Sequence, residues 1–221
     1  MANKNLFRIG AISSIIQSLF YIITVIALYF TPIEQITGDM SQFVNSYTIN
    51  PWPLIVMSTS FIILGFLGVV SVIPATAGIF PEKDRGWVTI GKNVALFSLS
   101  VTTIYFVWFL ATMSERINLF QLGHTISNPH APMNWIGWFA FGGMGLWVAV
   151  VGILVLLRGV LPKGFAAVCA IKTLGFWLIL TGIVLGNIII AEVGAVIGGI
   201  IGGASYHAWL GVALLRKASK L

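Results

Sequence analysis

Apolar residues in this chain run in long unbroken blocks, separated by short polar or charged stretches. The blocks cover about residues 9–30, 52–73, 87–113, 135–157, 165–190 and 194–215. A hydrocarbon core needs roughly 20 residues of apolar helix to cross it. The pattern therefore predicts six transmembrane helices in one domain, an all-α polytopic membrane bundle. The last two blocks form one stretch from Phe165 to Leu215, about twice a span, so the chain must fold back within it. Asn187 and the segment Ala191 to Gly194 are the candidate turns. Glu192 is costly at a bilayer centre, so the turn is placed beside it, at an interface.

Between the first two blocks, residues 32–47 repeat apolar positions at three- and four-residue spacing: Ile33, Ile36, Met40, Phe43, Val44 and Tyr47. Such spacing gathers them on one helical face. Glu34, Gln35, Asp39, Gln42 and Asn45 make the other face. Thr31-Pro32-Ile33-Glu34 has the pattern of a capping box with Pro at the first helical position. This segment is expected to be an amphipathic surface helix on the outer side, with Gly38 dividing it. The second outer connection, Ser114 to Asn134, holds Glu115, Arg116, His124 and His130, and is stiffened by Pro129 and Pro132.

Composition agrees with the blocks. Of 221 residues, 58% are hydrophobic and 8% charged, where a soluble domain carries roughly 25% charged residues. The net charge of +6 does not point to nucleic acid, because the cations cluster at the ends of apolar blocks. With six spans, every Lys and Arg except Arg116 falls on or near one side. Positive charge marks the cytoplasmic face, so both termini are expected in the cytoplasm.

The layout resembles a bacterial family of small six-helix membrane proteins of unknown function. The likeness lies in Arg8-Ile9-Gly10 opening the first helix, Gly38-Asp39 in a helical outer loop, and Leu161-Pro162-Lys163-Gly164 before the fifth helix. Pro51-Trp52-Pro53 stands where such proteins often carry an Arg. The resemblance implies a bacterial inner-membrane protein and brings no catalytic residue with it.

Candidate chemistry is sparse. No Asp or Glu falls in mid-span, which argues against a carboxylate-coupled ion pump. Hydrolase and zinc-binding spacings are absent, and no metal or cofactor is read from the sequence. Glycines Gly194, Gly198 and Gly202 recur every four residues in the sixth helix, with Gly199 and Gly203 as a second row. They predict close packing against the fifth helix at Gly175, Gly182 and Gly186, or a homo-oligomer or pore-lining contact. Lys172 and His207 lie at similar depth on those two helices, roughly 12–14 Å from the cytoplasmic ends at ~1.5 Å per residue. With Lys92 and its neighbours supplying positive charge, they are candidates for holding an anionic lipid group. The leading expectation is a non-enzymatic membrane protein that binds lipid or a membrane-protein partner. A small transporter or channel lined by the sixth helix is the alternative, and a membrane enzyme acting on lipid the third.

Overall fold

The computed structural model describes residues 4–37, 39–127 and 136–221. Among these the protein is all α, with eight helices. They are α1 (Lys4–Phe30), α2 (Ile33–Thr37), α3 (Met40–Ile49), α4 (Trp52–Ala77), α5 (Arg85–Gln121), α6 (Trp138–Arg158), α7 (Lys163–Leu185) and α8 (Ile188–Ser219). All but α2 and α3 are long and apolar enough to cross a membrane. A backbone in lipid has no water to bond, so each apolar block closes its hydrogen bonds within itself as a helix. Trp52, Trp87 and Trp138 stand exposed at the ends of their spans, where an amphipathic ring is favoured. The expected Gly38, Asn128 to Pro132 and Trp135 lie outside the described residues.

The six long helices close a ring. α1 packs on α4, α4 on α5, α5 on α6, α6 on α7, α7 on α8, and α8 returns to α1. Both termini therefore share one face, here called the termini face, and α2 and α3 cap the other, distal face. Met40, Phe43 and Val44 of α3 are buried there against Ala27, Leu54, Met57, Phe109 and Met113.

Several boundaries differ from the sequence reading. α5 continues past Met113 to Gln121, carrying Glu115 and Arg116 on a solvated turn. The distal turn between α7 and α8 is at Gly186-Asn187, not at Glu192. Gly186 adopts φ +63 as the left-handed end of α7, a conformation that favours glycine. The Asn187 side chain then accepts from the Ile190 N–H and caps α8. Glu192 rides exposed one turn inside that helix, so its charge needs no loop. The capping box also moves: Asp39 and Gln42 form it at the start of α3, while Thr31 donates its hydroxyl to the Ala27 carbonyl. Gln35, expected on the wet face, is buried, and its amide donates to Ser46 Oγ and the Asn50 carbonyl.

Three stretches are π-wound: Gly68–Val72, Trp138–Gly143 and Val196–Ala204. The first ends two residues before Pro74, which lacks an N–H and cannot continue a regular ladder. The third carries the glycine rows. In an α-helix, residues four apart drift around the axis by about 40° per step. The wider i→i+5 turn takes up that drift, so both rows stay aimed at their neighbours. A Cβ on Gly175 or Gly198 would fall on the other's backbone, and one on Gly202 would strike the Lys172 backbone. Gly194 meets the Ile179 backbone and Gly182 meets Ala191. The second row faces α1 instead of α7: Gly199 abuts Val25 and Gly203 abuts Tyr21. Gly186 has nothing within 4 Å and serves the turn, not the packing.

On the termini face, Arg158 ends α6 and grips Asp84, in the turn before α5. Nε lies 2.7 and 3.0 Å from the two carboxylate oxygens and Nη2 2.6 Å from one of them. Asp84 is 3% exposed. This two-pronged contact fixes the entry of α5 to the exit of α6.

Candidate functional site

Where α1, α7 and α8 meet, α1 presents three of its polar residues, Ser14, Gln17 and Tyr21. These are spaced at i, i+3 and i+7, so they share one face, and that face points inward. Ser14 and Gln17 are buried. The close glycine contacts bring α7 and α8 together beside them, which places Lys172 and His207 at one depth.

Lys172 is completely buried, and its Nζ lies 2.7 Å from His207 Nε2. Three aromatic faces surround the same nitrogen: Tyr206 at 4.3 Å, Tyr21 at 4.5 Å and Phe176 at 5.3 Å. The His207 ring stacks on Tyr21, with centroids 5.1 Å apart. Ser14 sets the proton arrangement. Its hydroxyl donates its one hydrogen to the His207 carbonyl at 2.8 Å. Toward His207 Nδ1, 3.3 Å away, Ser14 Oγ can then only accept. The imidazole hydrogen is thereby assigned to Nδ1, leaving the Nε2 lone pair to receive a hydrogen from Lys172. A lone pair and three ring faces are the surroundings of an ammonium held by one acceptor and by cation–π attraction.

A small void adjoins this cluster. It measures about 20 Å³ and is bordered by Lys172, His207, Tyr206, Tyr21, Gln17 and Leu64 among others. That is room for about one water and too little for a lipid phosphate. Gln17 donates to the Leu64 carbonyl at 2.6 Å, which turns its Oε1 to the other side, buried without a protein partner.

Toward the distal face, this void continues a file of spaces along Tyr21 and Leu64. The next, about 30 Å³, lies between Leu99, Phe141, Met144 and Phe176. The last is the largest of the file, about 130 Å³, between Met57, Phe61, Phe141, Phe176, Ile179, Ile183 and Ala195. Its walls are almost wholly apolar, and Thr24, which borders it, spends its hydroxyl on the Phe20 carbonyl. Ile36 of α2 roofs it. Glu192 stands at its edge, where a groove of about 380 Å³ runs between α1 and α8. That groove shares Val25, Leu28, Glu192 and Ala195 with the apolar cavity. From Gly199 toward the termini face α1 and α8 are in close contact, joined also by Ser18 Oγ donating to the Ala204 carbonyl at 2.8 Å. Beyond Gly199 they part, and the gap opens outward beside the exposed Tyr29, Val193 and Val196.

Toward the termini face the file stops. Phe7, Phe165, Leu210 and Leu214 are fully buried between the Lys172 cluster and that surface.

Lys172 and His207, singled out from the sequence, are thus brought together. Lys92 is not with them: it is half-buried on α5 and borders none of the three voids in the file. Ser14, Gln17, Tyr21, Phe176 and Tyr206 were missed. The inward polar stripe on α1 was visible as a spacing pattern and could have found three of them. Comparison with protein-family models, with curated proteins and with solved structures finds no match to this chain.

Proposed function

We propose that this integral membrane protein is a non-enzymatic lipid-binding protein of a bacterial inner membrane, with both termini in the cytoplasm. It takes an apolar chain from the outer leaflet into its bundle. The observation that carries the reading is the apolar cavity that shares Val25, Leu28, Glu192 and Ala195 with the groove between α1 and α8. A chain entering there exchanges lipid contacts for the side chains of Phe61, Phe141, Phe176 and Ile179. Its end would lie against Tyr21 and Phe176, the wall in front of Lys172. Ions gain nothing on this route, because its walls offer almost no polar atoms. Orientation follows from charge, since Arg116 alone among the Lys and Arg residues stands toward the distal face.

A phospholipid bearing a photoactivatable diazirine in its acyl chain tests the reading in nanodiscs. Interior positions Phe61 and Ile179 should be labelled along with the lipid-facing Ile104 and Leu174. Ala195→Phe, which fills the cavity next to the groove, should remove the interior labels and leave the lipid-facing ones. Labelling confined to Ile104 and Leu174 in the wild type would overturn the proposal.

A further inference from the structure

On the termini face, away from the apolar cavity, a second hollow of about 260 Å³ opens beside the end of α8. Its wall on α8 changes character with depth. Trp209, Val212 and Ala213 line the deeper part, and Arg216, Lys217 and Lys220 line the mouth. The opposite rim is the short connection from α6 to α7, at Leu161 and Pro162. From Trp209 to Lys220 the helix rises about 16 Å, enough to pass from acyl chain to headgroup level. Apolar surface below and cations above is the profile of one phospholipid seen from the side.

The charge balance on this face is what turns a basic surface into a site. Two acids lie nearby in the turn before α5, and each is already engaged. Glu82 pairs with Arg85 at 3.1 Å, and Asp84 is held by Arg158. Among the described residues no carboxylate reaches ion-pair distance of Arg216, Lys217 or Lys220. The nearest organised partner of Lys217 is the face of Phe7, 6.0 Å away. Three cations at one mouth therefore repel one another with no described carboxylate at ion-pair distance to offset them, and an anion from outside removes the cost.

We infer that this hollow binds an anionic phospholipid of the termini-side leaflet, its phosphate held by Arg216, Lys217 and Lys220 and its upper acyl chain lying on Trp209 and Val212. The site is independent of the apolar cavity, which opens on the opposite leaflet. Arg216 supplies paired N–H donors for phosphate oxygens, and the two lysines supply mobile point charges. Leu161 and Pro162 keep the hollow one lipid wide.

Native mass spectrometry of the full chain, released from micelles containing equal phosphatidylglycerol and phosphatidylcholine, reads the preference directly. The wild type should retain phosphatidylglycerol. The variant Arg216→Gln/Lys217→Gln/Lys220→Gln should lose that preference by on the order of tenfold. Lys4→Gln/Lys83→Gln/Lys163→Gln removes the same charge from the same face outside the hollow and should keep it. Ala213→Trp fills the hollow with every cation in place and should also lose the lipid; it decides the matter if the triple variant does not fold. Equal retention of the two lipids by the wild type would overturn the inference. So would equal losses in the two triple variants, which would assign the preference to diffuse surface charge. Displacement of the lipid by inorganic phosphate alone would assign the cations to a soluble anion and overturn the lipid assignment.

Discussion

Replacing Lys172 and His207 one at a time should give unequal costs, and replacing both should restore most of what is lost. The asymmetry comes from what each change leaves behind. Lys172→Met keeps the length of the side chain and removes the ammonium. It strands a neutral Nε2 lone pair, and a buried unsatisfied acceptor costs about 1–3 kcal/mol. His207→Phe keeps a ring to stack on Tyr21, now 5.1 Å away, and removes the acceptor 2.7 Å from Nζ. That strands a charge, at about 3–5 kcal/mol. The double variant strands neither group. Exchanging a buried polar pair for apolar groups of similar shape is often close to neutral, so its stability should approach the wild type. Thermal unfolding in detergent measures the order, since about 1 kcal/mol moves the midpoint by roughly 2–4 °C in a chain of this size. A double variant as unstable as the sum of the two singles would refute the coupling. Equal costs for the two singles would refute the ammonium, because a neutral amine and a neutral imidazole strand groups of equal kind.

Two further expectations follow from packing and topology. Gly198→Ala, which places a Cβ on the Gly175 backbone, should cost about 1–3 kcal/mol or more by overpacking. Gly86→Ala, with nothing within 4 Å, should raise stability by about 0.5–1 kcal/mol; equal effects of the two would place the glycine row against lipid. In a Cys169→Ala background, which removes the chain's own thiol, single cysteines at Asn45 and Ser127 should react with an impermeant thiol reagent added outside cells. Cysteines at Lys83 and Lys220 should stay protected, and outside labelling at Lys220 would reject an even number of spans.

The six spans were legible because lipid imposes a one-dimensional rule: an apolar run of sufficient length becomes a helix. Their ends were less so. Glu115 and Arg116 read as the start of a loop, yet a helix that has left the membrane keeps its ladder wherever water can solvate its side chains. Glu192 displaced the predicted turn for a related reason. A carboxylate is costly at the bilayer centre, but being one turn from the end of α8 already avoids that cost. Gln35 followed the helical period of a wet face and is nonetheless buried, because the carbonyl of Asn50 and the hydroxyl of Ser46 come back over it. The depth of Lys172 and His207 could be counted along each helix. The spacing of Ser14, Gln17 and Tyr21 marked an inward face of the first helix, but not that this face meets Lys172 and His207, which lie toward the opposite end of the chain. An aromatic enclosure has no linear spacing when its rings come from three different helices.

The bond between Ser14 and His207 spans 193 positions of sequence, and this has a consequence for how the chain is made. The first helix finds the partner of Gln17, the Leu64 carbonyl, in the next span, but its Ser14 waits through the synthesis of four further spans for His207. The seventh helix presents a harder problem, because it brings the Lys172 amine into hydrocarbon before His207, its hydrogen-bond partner among the described residues, has been synthesised. A lone charge at that depth opposes insertion. The two-residue turn at Gly186-Asn187 and the close glycine contacts would let α7 and α8 enter as one hairpin, with Lys172 and His207 paired on arrival. The final helix is thus an insertion partner for the one before it, and a ribosome stalled short of His207 would hold a segment that the membrane resists.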